Sequence, residues 1–141
     1  MKVNQEEMRV MAKIKFTNSA LDYLKKREVL GHLMLLIVDD GGGKYSIHGG
    51  SCSIGANFSI IKLDKPDKDY PEKLQNDEGV EIYTSKYDLV ELQDNLVLDY
   101  KDYSLQLKND SQMLDGAVSI GNGPALLEAN HHVVMNEARN C

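Results

Sequence analysis

Two hydrophobic periods divide the chain. In "FTNSALDYLKKREVL", Ala20, Leu21 and Leu24 recur at helical spacing behind Thr17 or Asn18 as caps. Lysine and arginine gather at the end, where the helix dipole favours cations, so the spacing predicts a helix over 18–28. After Gly31 the period changes. "HLMLLIVDD" is a continuous apolar run bounded by turn residues, the pattern of a strand buried on both faces. "GGGK" then turns the chain, "KYSIH" alternates, and "NFSIIKL" over 57–63 reads as a further strand. Residues 64–78, with two prolines and many charges, read as an exposed surface loop. Beyond them "GVEIYTS", "DNLVLDY" and "YSLQLKN" carry β-branched and aromatic residues at strand spacing, while "KYDLVEL" fits a strand or a short helical turn. In the tail, Pro124 is placed to open a short helix with Leu126, Leu127, Val133 and Val134 on one side, packing on the sheet or on a second subunit. The sum is an α+β protein: an N-terminal helix, a mainly antiparallel or mixed β-sheet, and a short C-terminal helix. Residues 1–12 read as a polar extension, 13–123 as the domain and 124–141 as its tail.

Composition narrows the function. A chain of 141 residues with 42% hydrophobic residues can bury a full core as one domain. Its longest apolar run, "LMLLIV" at 33–38, is far too short to span a bilayer, so no membrane partner is expected. The opening "MKVNQEEMRVMAK" lacks the apolar stretch of a secretory leader, and two cysteines 89 positions apart make no disulfide framework. The cytoplasm is the expected compartment. A net charge of −6 argues against nucleic acid, which needs clustered cations to displace its counterions.

The candidate chemistry centres on "SIHGGSCSIGANF", where Cys52 follows His48 by four residues in a glycine-rich turn. "DDGGGKYSIHGG" is not a phosphate-binding loop: Lys44 is followed by Tyr45, and strand-like residues stand where a helix should begin. A hairpin turn suits it better. His48 could lower the Cys52 thiol pKa, but no Asn or Asp orienter stands out for a thiol enzyme, so the expectation is a non-enzyme. The glycine-flanked thiol is expected in a turn reachable from solvent. His131 and His132 fall on the predicted tail helix without a partner at metal spacing and read as solvent-facing or interface histidines. Cys141, the last residue, is a poor fixed ligand.

The order of these pieces resembles the HesB-like, or A-type, iron–sulfur cluster biosynthesis family. "IKFTNSALDYLKK" is similar to that family's opening strand and helix, and "LMLLIVDDGGGKYSIHGGSCSIG" to its strand leading into a turn with the first cysteine. "GVEIYTSKYDLVELQDNLVLDY" and "YSLQLKNDSQMLDGAVSIGNG" complete the match, which covers about residues 13–123. The resemblance implies a small protein, commonly dimeric, that holds iron or an iron–sulfur cluster and passes it to apo-targets. It implies ligands at one cysteine in the turn and at a Cys-Gly-Cys near the C-terminus. Cys52 falls on the first, but Asp115-Gly116-Ala117 stands where the pair belongs, with both thiols gone.

One thiol per chain cannot hold a cluster, which commonly takes four protein ligands. The implied metal set is therefore Cys52, with His48 or Asp115 completing the shell across a homodimer. Any iron or cluster should be labile, and none is expected in the protein as purified in air. Iron–sulfur assembly proteins or apo-target proteins are the implied partners. The alternative is a divergent member without metal chemistry that serves as a protein-interaction module.

Overall fold

A computed structural model describes residues 12–40, 43–47 and 57–136, the last six as helical backbone alone. The elements are β1 (Ile14–Phe16), α1 (Asn18–Lys26), β2 (Leu33–Asp39), β3 (Asn57–Leu63), β4 (Glu72–Lys73), β5 (Ile82–Thr84), α2 (Lys86–Leu89), β6 (Leu96–Lys101), β7 (Ser104–Lys108), β8 (Met113–Asp115), β9 (Ser119–Asn122) and α3 (Gly123–Asn136). They form two sheets, ordered β1-β6-β7-β8 and β4-β5-β2-β3-β9. The α+β expectation holds, and the sheets are mixed. β6 with β7 and β2 with β3 run antiparallel, whereas β1 with β6, β2 with β5 and β3 with β9 run parallel.

The main core lies between the two sheets and α1. Phe16, Leu24, Met34, Leu36, Phe58, Ile60, Ile82, Leu98 and Leu107 meet there. On the opposite face of the second sheet, Leu35, Ile37, Ile61 and Leu63 pack with Tyr45, Tyr70 and Leu126. β2 and β3 are thus covered on both sides, which is why their apolar runs are continuous.

α1 begins as expected, with the Thr17 hydroxyl accepting from Ala20 N–H at 3.2 Å. It ends two residues before the predicted limit. Glu28 adopts φ 60°, and the amides of Glu28 and Val29 donate to the carbonyls of Lys25 and Leu24, a Schellman stop that seats buried Val29 against Leu24.

Three stretches differ from the sequence reading. "KYSIH" alternates without being a strand where it is described: residues 43–47 form a turn that lays Tyr45 and Ser46 onto the second sheet, so its alternation reports turn packing. His48 lies outside the described residues. The 64–78 stretch is not wholly loop, because Leu74 is fully buried, β4 pairs with β5, and Gln75 bridges Lys13. "KYDLVEL" resolves to the short helix α2, which Ser85 caps.

The β6–β7 hairpin turns at Asp102 and Tyr103, with φ 54° and 65°, the positive values a type I′ turn demands. Neither is glycine, and Tyr103 is 94% exposed, with no packing to compensate. Tyr103→Gly should therefore raise stability by about 0.4–1 kcal/mol in urea denaturation. A loss would show that the Tyr103 side chain contributes an interaction at the tip.

Candidate functional site

The chain leaves the second sheet at Asp39 and re-enters it at Asn57, the last register pair of β2 and β3. Cys52 and His48 lie between these points, and neither is among the described residues, nor is Cys141. What the structure describes is the frame from which that segment springs.

Three aspartates build the frame by accepting main-chain amides. Asp39 at the end of β2 is buried; it takes Ile47 N–H at 2.8 Å and the Ser46 hydroxyl at 2.5 Å. Asp88 on α2, also buried, takes Val38 N–H at 3.1 Å and the Ser85 hydroxyl at 2.7 Å. Asp115 ends β8 in the first sheet. Its Oδ2 takes Phe58 N–H of β3 at 2.7 Å and its Oδ1 takes Ala117 N–H at 2.9 Å. Each carboxylate supplies a charge-assisted acceptor to an amide at the rim of the β2–β3 pair.

Asp115 has a further consequence. Residues 116–118 carry the chain from the first sheet to β9 of the second. Its carboxylate fastens that crossover to Phe58, six residues after Cys52. Of the three sequence-predicted site residues, the structure thus places Asp115 beside the strand that follows the cysteine segment. Both of its oxygens are engaged by amides, so it would bring metal only the lone pairs those bonds leave. Among the described residues, no three His, Cys, Asp or Glu side chains gather as a metal cage.

A second polar group braces the turn. The Lys44 ammonium lies 2.9 Å from Asp67 and 2.7 Å from Asp69, and over the rings of Tyr45 and Tyr70 at 5.5 and 5.8 Å. The Tyr45 hydroxyl donates to Asp67 at 2.6 Å. Burial alone would push the Asp67 carboxyl up, but these hydrogen bonds hold it below its ordinary value. Burial, with Asp88 and Asp67 nearby, pushes Tyr70 up to about 12. From the far side, the Asn130 amide of α3 donates to the Lys44 and Ser46 carbonyls at 2.8 and 3.1 Å. A cleft of about 420 Å³ beside this turn is lined by Asp39, Asp40, Tyr70, Tyr87 and Asp88 among others.

The roles of Asp39 and Asp88 do not stand out in the sequence. Asp39 closes an apolar run and reads as a turn residue, although Ser85-x-x-Asp88 carries the spacing of a capping box.

The profile of the Iron-sulphur cluster biosynthesis family matches residues 12–122. The chain belongs to that family. It is similar to the crystal structure of a candidate Fe-S biosynthesis protein from Lactobacillus acidophilus, with 55% identity and a TM-score of 0.77 over 86% of this chain and 98% of that one. A candidate Fe-S biosynthesis protein from Lactobacillus salivarius, described as having a novel fold, is 28% identical, with a TM-score of 0.60 over 78% of this chain and 97% of that one. No curated protein matches the chain. The family match ends at Asn122, one residue before α3 begins. No described helix is long and apolar enough to cross a membrane.

Asp88 gives the frame a pH signature. Burial raises its carboxyl above the ordinary value and Asp40 adds to the effect, against the hydrogen bonds from Ser85 and Val38 N–H. Its folded-state pKa therefore exceeds its unfolded one. The contribution to stability is complete below the unfolded value of 3.8 and is lost as pH rises through the raised folded value. Asp88→Asn keeps an acceptor for Val38 N–H and removes the charge. Melting temperatures measured from about pH 4 to neutrality should show wild type losing ground to the variant as pH rises. Wild type gaining on the variant would contradict the assignment.

Proposed function

We propose that this protein serves iron–sulfur cluster biogenesis as a transient iron-handling adaptor and not as a stable cluster carrier. Family membership supports the pathway, and the carrying observation for the role is Asp115. At the family's second ligand position stands a carboxylate with both oxygens on main-chain amides, followed by Gly116 and then Ala117, which offers no donor. At the family's ligand positions the donor set is one thiolate per chain, Cys52, with His48 as a nitrogen donor and Asp115 as a hard oxygen donor. Iron–sulfur clusters are held by soft thiolates, commonly four of them. Pairing two chains would bring two Cys52 thiols to a shared iron, which suits a cargo released readily to assembly proteins or apo-targets. The cytoplasm is the compartment this reading assumes.

The same observation favours a second reading. A carboxylate that fastens the crossover to β3 keeps the fold without metal, and a protein so built can act as an interaction module in the assembly machinery.

Anaerobic titration with ferrous iron and sulfide separates the two, read in the thiolate-to-iron absorption of wild type, Cys52→Ser and His48→Ala. Weak, reversible absorption that disappears in Cys52→Ser and is reduced in His48→Ala is the expected result. Equal, negligible absorption in all three supports the interaction module. A tightly held cluster in the wild type overturns both.

A further inference from the structure

Helix α3 lies beyond the family match, and it bears on the turn that leads to the cysteine. The helix starts pressed against β3. A Cβ at Gly123 would stand 2.8 Å from the Lys62 carbonyl oxygen and 2.5 Å from the Leu63 side chain, so only glycine fits as its first residue. On β9, a Cβ at Gly121 would stand 2.6 Å from Leu126 and 3.0 Å from Ile47. The bare glycine thus leaves room for a side chain of α3 and one of the turn to lie over the same point of the sheet. One helical turn after Leu126, the Asn130 amide donates to the Lys44 and Ser46 carbonyls at 2.8 and 3.1 Å. Residues 43–47 belong to no described strand, so this side chain supplies bonds that a ladder would otherwise provide. Beyond Asn130 only the backbone of α3 is described, His131 and His132 included.

We propose that α3 is a positioning helix for the cysteine-bearing segment. Leu126 and Asn130 clamp the 43–47 turn onto the second sheet, and detaching them loosens Ser46 and Ile47 and raises the reactivity of the Cys52 thiol. Ile47 is the residue through which the chain leaves the turn towards Cys52, and Asp39 already anchors its N–H at 2.8 Å. Lys44 holds the same turn from the loop side through Asp67 and Asp69. Of these anchors, Leu126 and Asn130 alone come from beyond the family match. A turn held by a few side chains opens more readily than a paired strand, so losing two bonds frees it without unfolding the sheet. The inference concerns the mechanics of the chain and stands whether or not iron is its cargo.

Residue-resolved amide hydrogen exchange of the full-length protein, with the alkylation rate of Cys52 in a Cys141→Ser background, tests the clamp. Asn130→Asp keeps the shape of the side chain and loses both donors. Gly121→Ala displaces Leu126 and Ile47 instead. In each variant the Ser46 and Ile47 amides should exchange roughly tenfold faster or more, as expected when one or two hydrogen bonds are lost. Cys52 should be alkylated severalfold faster, while the Ile60 and Ile61 amides of β3 keep their wild-type protection. Glu128→Gln, at an exposed position of α3, should change none of these rates. Unchanged exchange at Ser46 and Ile47 in Asn130→Asp overturns the clamp. So does equal acceleration at Ile60 and Ile61, because the helix would then merely stabilise the whole fold. Faster exchange at the turn with an unchanged alkylation rate overturns the link to Cys52.

Discussion

Everything in this fold hangs on the pairing of β2 with β3. Seven residues of each strand are in register, from Leu33 opposite Leu63 to Asp39 opposite Asn57. Both faces of the pair are buried, one against the first sheet and α1, the other against the 43–47 turn, Tyr70 and Leu126. A slip of one residue would exchange the two faces and bring Lys62 and Asp39 into the wrong layer, so the register is strongly specified. That rigidity gives the cysteine-bearing segment fixed roots. Asp88, Asp39 and Asp115 then secure them by accepting the amides of Val38, Ile47 and Phe58.

The third of these contacts bears on both fold and function. Asp115 comes from the other sheet, so its bond to Phe58 links the two layers at the point where the chain crosses between them. An amide acceptor at this position must be short and oxygen-bearing, and a thiolate would be a weaker substitute. The family resemblance places a metal-ligating cysteine at this position. In this chain Asp115 holds the crossover to β3 through the amides of Phe58 and Ala117.

Much of the architecture was legible in the sequence because burial on two faces, burial on one face and helical burial leave different periods. The run 33–38, the strand 57–63 and the start of α1 follow directly from that rule. The turn at 43–47 did not, because Tyr45 and Ser46 are buried for reasons of packing and mimic an alternating strand. The 64–78 stretch hid Leu74 among charges and prolines, and one apolar residue makes no period. The parallel pairings of β1 with β6 and β3 with β9 join segments far apart in the chain, which local pattern cannot register. In the candidate site, Asp115 was singled out by resemblance as a ligand position. Its bond to Phe58 needs both sheets in place and leaves no mark in the sequence.

Placing thiols at positions 115 and 117 separates a lost ligand set from a lost fold contact. Wild type and the Asp115→Cys, Ala117→Cys double variant are reconstituted anaerobically with iron and sulfide, desalted, and compared by visible absorption and bound iron. Wild type should retain no stable cluster after desalting, whereas the double variant should retain one and melt at a lower temperature for want of the Asp115 acceptor. A wild type that keeps as much cluster as the double variant would contradict this expectation.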